Sequence, residues 1–110
     1  MYEYEATVVK VVDGDTVHLD VDLGLETSRR LKCRLKGINA PELKTEAGKE
    51  ARGFLTETLK SAKVFRVETV KDRTEKYGRY LVLIYIGEGE VTANDLMIDA
   101  GHAEPYMIDT

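Results

Sequence analysis

"RRLKCRLKGI" runs from Arg29 to Ile38 and decides how the chain is read. From Arg30 to Ile38 the residues alternate, with Leu31, Cys33 and Leu35 in one row and Arg30, Lys32, Arg34 and Lys36 in the other. A period of two means a β-strand with one face in a core and the other towards water, so here one side is apolar and the other cationic. Pro41 ends this strand, because proline has no N–H for a ladder and biases Ala40 towards an extended conformation.

Upstream, Tyr4 to Val12 is rich in valine and threonine and stops at Asp13-Gly14, a tight-turn pair. Thr16 to Asp22 alternates again, with Val17, Leu19 and Val21 on the apolar side. "LGLETS", Leu23 to Ser28, reads as a loop. Downstream the period lengthens from Thr45 to Lys63, where Ala47, Ala51, Phe54, Leu55, Leu59 and Ala62 form one helical stripe. Val64 to Val70 is a strand, a polar loop follows through Gly78, and "RYLVLIYI" from Arg79 to Ile86 is apolar enough for a central strand. A turn at Gly87 to Gly89 leads to a short helix, Thr92 to Ala100, with Ala93, Leu96, Met97 and Ala100 inward and Gly101 as its C-terminal cap. Three strands, a helix, two strands and a short helix give a mainly β chain with helices (α+β). A five-stranded OB barrel fits this order, because closure disposes of the edge strands. An open antiparallel sheet under one helix is the fallback.

The 110 residues suit one domain, residues 1–110, with a single modest core. Hydrophobic residues make up 43% and charged residues 33%, a globular balance. The N-terminus carries Glu3 and Glu5 and no unbroken apolar run, and no stretch is long enough to span a bilayer. The expected location is cytoplasmic, with a secreted mature form equally compatible and no membrane partner. Cys33 is the one cysteine, which excludes an intrachain disulfide and a cysteine-rich zinc site; in step with Leu31 and Leu35 it reads as a small buried hydrophobe. His18 and His102 give no nucleophile-and-base triad with it. The net charge of −4 argues against binding nucleic acid by bulk charge alone. The cations are nevertheless segregated: Arg29 to Lys36 holds five and no acid, and Lys71 to Arg79 holds four against two acids. The plain reading of such a run is a solvated face.

Four places hold polar residues that the barrel itself does not require: Asp13 and Asp15 in the first turn, Arg34 on the third strand, "NAPE" (Asn39 to Glu42), and Lys76 to Arg79. Taken singly, Asp-Gly-Asp is a turn, a strand arginine is surface, and a glutamate after proline is solvated. It is not an EF-hand, since the later acids and the closing glutamate are missing. As a set they suit water attack on a phosphodiester, which needs a hard cation, donors for the phosphoryl oxygens and a carboxylate for the water. Asp15 and Asn39 offer hard oxygens for Ca²⁺, Arg34 and Arg79 offer bidentate forks, and Glu42 offers the carboxylate.

"VVDGDTVHL", "CRLKGINAPE", "EKYGRYLVLIY" and "NDLMIDAGHAE" resemble, in order, the signature segments of the staphylococcal nuclease family, over about Glu5 to Glu104. The resemblance implies an OB-fold, Ca²⁺-dependent nuclease that hydrolyses the 5′ P–O bond of DNA or RNA and leaves 3′-phosphate ends. It implies Asp15 and the main-chain carbonyl of Ala40 as metal ligands, with Asn39 at the second metal position and Asp13 one layer behind. It implies that Arg34 bridges the scissile phosphate, Glu42 orients or deprotonates water, and Arg79 stabilises the pentacoordinate phosphorus and the leaving oxygen. Lys76 and Tyr77 would hold the terminal phosphate and Tyr106 would stack on a base. The expected substrate is nucleic acid, single strands preferred, with no obligate protein partner.

Three departures from the family pattern stand out. Asn39 replaces the usual aspartate, so the site loses a charge and weak metal binding is expected. The segment between Glu42 and the helix is short. The sequence ends at Thr110, where the family continues into a final helix. The alternative function is a non-catalytic OB module that binds nucleic acid or protein through a weakened metal site.

Overall fold

Three consecutive antiparallel strands open the fold: β1 (Tyr2–Asp13), β2 (Thr16–Gly24) and β3 (Thr27–Leu35). A two-residue strand, β4 (Ile38–Asn39), and helix α1 (Glu46–Thr58) follow, the helix ending in a 3₁₀ turn at Leu59–Ser61. The remaining elements are β5 (Phe65–Thr74), β6 (Tyr80–Tyr85), α2 (Ala93–Asp99) and β7 (Glu104–Pro105). This is a computed structural model, and it describes residues 2–74 and 78–106. The five long strands close into a barrel in the order β1-β2-β3-β6-β5, with β5 pairing back to β1. All contacts are antiparallel except β3 with β6. This is the five-stranded barrel with two helices that the sequence pattern predicts, consistent with an OB-fold. No helix of the described residues is long and apolar enough to cross a membrane.

The alternation around Cys33 works as read: Leu31, Cys33 and Leu35 enter one core with Val17, Leu19, Val21, Val67, Val82 and Ile84. Burial pushes the Cys33 thiol up to about 12, so it stays protonated and inert. From α1, Ala51 and Leu55 enter the same core, with Leu59 from the turn that follows. Truncating a fully buried leucine such as Leu55 costs roughly 2–5 kcal/mol. Ala47 and Ala62, expected in the stripe, are exposed. Gly48 takes the inward place in the first turn, where a Cβ would fall 1.9 Å from the Glu42 carbonyl oxygen. The regular helix also ends at Thr58, short of Lys63. The Thr56 and Thr58 hydroxyls donate back to the Arg52 and Phe54 carbonyls, a bond that weakens a helix end.

"LGLETS" is not a loop. β2 runs on to Gly24 and β3 begins at Thr27, joined by Leu25 and Glu26 with φ of 55° and 62°. Two consecutive left-handed residues make a type I′ hairpin turn, whose twist matches the strands it joins. The polar stretch expected as a loop after Val70 begins instead as strand, since β5 continues to Thr74.

Both helices are capped as their sequences suggest. The Thr45 and Thr92 hydroxyls accept from the N–H of Gly48 (3.0 Å) and Asp95 (3.1 Å), and each cap contributes about 1 kcal/mol. At the end of α2, Gly101 has φ 79° and donates to Ile98, while the His102 N–H reaches Met97, forming a Schellman motif. That motif turns the chain sharply, so that β7 pairs with β4 across Ile38↔Pro105 and Asn39↔Glu104.

Candidate nuclease site

Register gathers the polar residues at one end of the barrel. Thr16 lies opposite Arg34 on β3 and Arg34 lies opposite Leu81 on β6, which sets Asp15, just before Thr16, beside the end of β3, while Arg79, two residues before Leu81, reaches Thr16 through its side chain. Asp15 is 6% exposed, and the Leu35 N–H donates to its main-chain carbonyl at 2.8 Å. Its Oδ1 accepts from the Thr16 hydroxyl at 3.0 Å and its Oδ2 from the Ala40 N–H at 2.9 Å. The Thr16 Oγ1 in turn accepts from Arg79 Nη1 at 3.0 Å.

Arg34 does not stay with the solvated row. It is 9% exposed, while Arg29, Arg30, Lys32 and Lys36 remain in water. The strand alternation is right about its direction, but β4 and the segment after β7 cover that end of the outer face. Its Nη1 lies 3.7 Å from Asp15 Oδ2, and its Nη2 donates to the Ile38 carbonyl at 3.0 Å and to Asn39 Oδ1 at 3.1 Å. The Tyr106 ring lies over the guanidinium at 5.1 Å, held there by the Tyr106 N–H donating to Gly37 at 2.8 Å. Arg34 Nε is buried and has no hydrogen-bond partner among the described residues.

Gly14 is the enabling residue behind this arrangement. Its φ is not positive; what it supplies is closeness, since a Cβ there would lie 2.7 Å from Ala40 Cβ and 2.8 Å from Ala51 Cβ. Removing the side chain lets the first turn, the "NAPE" segment and α1 pack together, and so brings the Ala40 N–H onto Asp15. Asp13 closes the turn itself by accepting from the Asp15 N–H at 3.0 Å. Burial, and then hydrogen bonding with the Asp15 side chain, raise the Asp13 carboxyl above its ordinary value.

The oxygens of Asp15 and Asn39 converge on one guanidinium, a position already balanced by positive charge. Ca²⁺ binds all-oxygen donor sets that mix carboxylate, amide, carbonyl and water. Asp15, Asn39 and the Ala40 carbonyl are donors of that kind, with one formal negative charge among them, and so fit a weakly held ion. Among the described residues no group of three or more histidine, cysteine, aspartate or glutamate side chains could hold a metal.

Glu42 stands apart from this cluster. Its carboxylate is largely exposed and lies 3.3 Å from Lys44 Nζ, while its main-chain carbonyl accepts from Thr45. Lys76 and Tyr77 lie outside the described residues. Two residues that matter escaped the sequence reading. Thr16 links Asp15 to Arg79, and its place directly after the carboxylate in "DGDT" was the available signal. Asn94 is 2% exposed and stitches the residue after β3 to β6: its Nδ2 donates to Lys36 (2.8 Å) and Val82 (3.0 Å), and its Oδ1 accepts from Ile84 (3.2 Å). An asparagine beside the apolar row of α2 was its only mark.

The family profile described as "Staphylococcal nuclease homologue" matches residues 32–110, a span that includes Arg34, Asn39, Glu42 and Arg79. An uncharacterized protein of Methanocaldococcus jannaschii is 30% identical over 129 residues, covering 94% of this chain and 60% of its own length. The thermonuclease of Staphylococcus hyicus is 33% identical over 87 residues, covering 74% of this chain and 48% of its own. Endonuclease YhcR of Bacillus subtilis is 32% identical over 117 residues, which cover 96% of this chain and 9% of that protein. The chain thus spans 60% or less of the length of these relatives. With four signature segments in order, a closed five-stranded barrel and a profile match over most of its length, the chain belongs to the staphylococcal nuclease family.

Proposed function

We propose that residues 1–110 act as one nuclease domain that hydrolyses the 5′ P–O bond of DNA or RNA with Ca²⁺, leaving 3′-phosphate ends. The observation that carries this reading is the buried Arg34, set between Asp15 and Asn39, whose Nε has no partner among the described residues. A buried guanidinium with a spare donor is suited to an anion, and a phosphate takes charge-assisted, bidentate bonds from it. Bound between Asp15, Asn39 and the Ala40 carbonyl, Ca²⁺ would supply a Lewis acid for a phosphoryl oxygen. Arg34 bridges the scissile phosphate, and Arg79, anchored on Thr16, stabilises the charge that builds on phosphorus and the leaving oxygen. Glu42 turns from Lys44 to orient or deprotonate the water, and Asp13 keeps the turn in shape. Lys76 and Tyr77 hold the terminal phosphate and Tyr106 stacks on a base. A recessed arginine favours single strands, which bend into the site more easily than a duplex, and no protein partner is required.

A second reading, a non-catalytic binding module, is favoured by the pairing of Glu42 with Lys44 and of Arg34 with Asn39. Incubation with a labelled single-stranded oligonucleotide in Ca²⁺ and in chelator separates the two. Fragments with 3′-phosphate ends in Ca²⁺ alone are expected. An oligonucleotide that stays intact but bound in both conditions would establish the module instead.

A further inference from the structure

A cavity of about 260 Å³ opens beside the candidate metal donors, lined by Asn39, Ala40 and Pro41 on one side and Gly101, His102, Ala103 and Glu104 on the other. None of its far wall has a part in the chemistry set out above. Both walls are fixed by backbone. The Schellman motif at Gly101 and the Asn39↔Glu104 pairing hold them, and the half-exposed His102 ring is braced by Phe54 at 4.8 Å between centroids.

Resting on the nuclease reading, we infer that this cavity is a subsite for one nucleobase next to the cleaved phosphodiester, and that it prefers a base carrying an exocyclic amino group. Three features of the lining lead there. Glu104 lines the wall and is exposed, so its negative charge at the cavity repels phosphate and leaves the uncharged base as the occupant. The His102 ring, rigid against Phe54, offers a stacking surface of the kind that holds single-stranded bases. The polar edge is also matched: Glu104 is an acceptor, and Asn39, whose Oδ1 is taken by Arg34, has amide N–H donors with no partner among the described residues. A carboxylate accepting from the cytosine amino group, or an asparagine paired with adenine, are the usual readouts by these side chains. Thymine and uracil present an oxygen where cytosine presents the amino group, and an oxygen facing Glu104 is repelled.

The cavity is small, which fits one ring system rather than a whole nucleotide. Because it shares Asn39 and Ala40 with the metal donors, a base seated there lies within one nucleotide of the phosphate held by Arg34. The subsite would therefore read the base beside the cut.

The test is the binding of fluorescein-labelled oligo-dC and oligo-dT of equal length, measured by anisotropy in chelator, where no metal-dependent cleavage shortens the probe. The parent should bind oligo-dC on the order of tenfold more tightly than oligo-dT. Glu104→Ala should bring the two together. His102→Ala should weaken both by about tenfold while His102→Phe restores them, since stacking is tolerant of the base and any flat ring supplies it. Equal binding of the two probes by the parent, a preference that survives Glu104→Ala, or indifference to His102→Ala would each overturn the subsite. The nuclease reading fails separately. If Ca²⁺ gives no cleavage but the dC preference and its dependence on Glu104 hold, the base pocket stands and the catalysis falls; cleavage without any preference reverses that result.

Discussion

The β1–β2 and β2–β3 turns sit at opposite ends of the barrel and solve the same problem in opposite ways. The first, Gly14-Asp15, carries a glycine that does not use its freedom to adopt positive φ; the missing side chain lets Ala40 and Ala51 approach. The second, Leu25-Glu26, adopts positive φ at both residues with no glycine between its strand ends to ease it, and Leu25 stands 98% exposed. One turn is set by what packs on it and the other by the twist of its own hairpin. A glycine at a turn can thus mark a crowded neighbourhood rather than an unusual backbone, and only the first of these turns has a site built against it.

This contrast can be broken or sharpened by mutation. The largest effect is expected just beyond the first turn, where Arg79 bonds Thr16: Arg79→Ala should lower turnover on the order of 10³-fold with the fold intact, as for arginines that serve phosphoryl transfer. Digestion of DNA at near the parent rate by a folded Arg79→Ala protein would remove Arg79 from the mechanism. Next comes Gly14→Ala. Its Cβ meets two atoms fixed to backbone, so the over-packing should cost about 1–3 kcal/mol and part Ala40 from Asp15. Thermal melting should show a drop of several degrees, and activity should need more Ca²⁺; a midpoint equal to the parent's would mean that closeness at Gly14 is not required.

Asn39→Asp should act more mildly and in the favourable direction. The added charge raises Ca²⁺ affinity, with half-maximal activity reached at roughly tenfold lower Ca²⁺, a factor worth about 1.4 kcal/mol of attraction. The metal-free protein should melt no lower, because Arg34 Nη2 already donates to that side-chain oxygen. Unchanged Ca²⁺ dependence would withdraw Asp15 and Asn39 as a metal pair. The smallest change is expected at the other turn, where Leu25→Asn combined with Glu26→Gly replaces two left-handed L-residues by the pair that a type I′ turn prefers. A gain of about 1 kcal/mol in stability and no change in cleavage are expected; a lower melting midpoint would show that Leu25 and Glu26 are not under strain.

Much of the fold could be read from period alone, because Leu31, Cys33 and Leu35, or Val17, Leu19 and Val21, repeat an in-out alternation that only a strand satisfies. The turns were less legible. Their chemistry is local, and Leu25-Glu26 breaks the composition rule that hairpin turns otherwise follow. For the candidate site, Asp15, Arg34, Asn39 and Arg79 could be named from the sequence, and side-chain contacts bring them together at one end of the barrel. The burial of Arg34 was not visible, since it depends on β4 and the β7 segment, residues far along the chain that cover an outward face. Glu42 shows the converse: its sequence position marks it, yet its carboxylate is held by Lys44, a neighbour two residues away. The inward role of Gly48 was hidden because a glycine in a helical stripe normally weakens the assignment, and here it admits the Glu42 carbonyl.

Closure of the barrel has a kinetic consequence. β1, β2 and β3 meet their neighbours through hairpins, so their pairing needs little search. The seam between Tyr2–Ala6 and Phe65–Thr69 joins segments about as far apart in sequence as Glu3 and Arg66, 63 residues, and the parallel contact of β3 with β6 likewise waits for α1 and β5 to be in place. The entropy of closing that long loop has to be met before the seam returns any stability, which makes the three-strand meander the early structure and the seam the slow step. Asn94 bridges the end of β3 and β6 from outside both, so it locks that parallel contact only after the strands have met. Replacing it would then be felt mainly as faster unfolding, with the folding rate little changed.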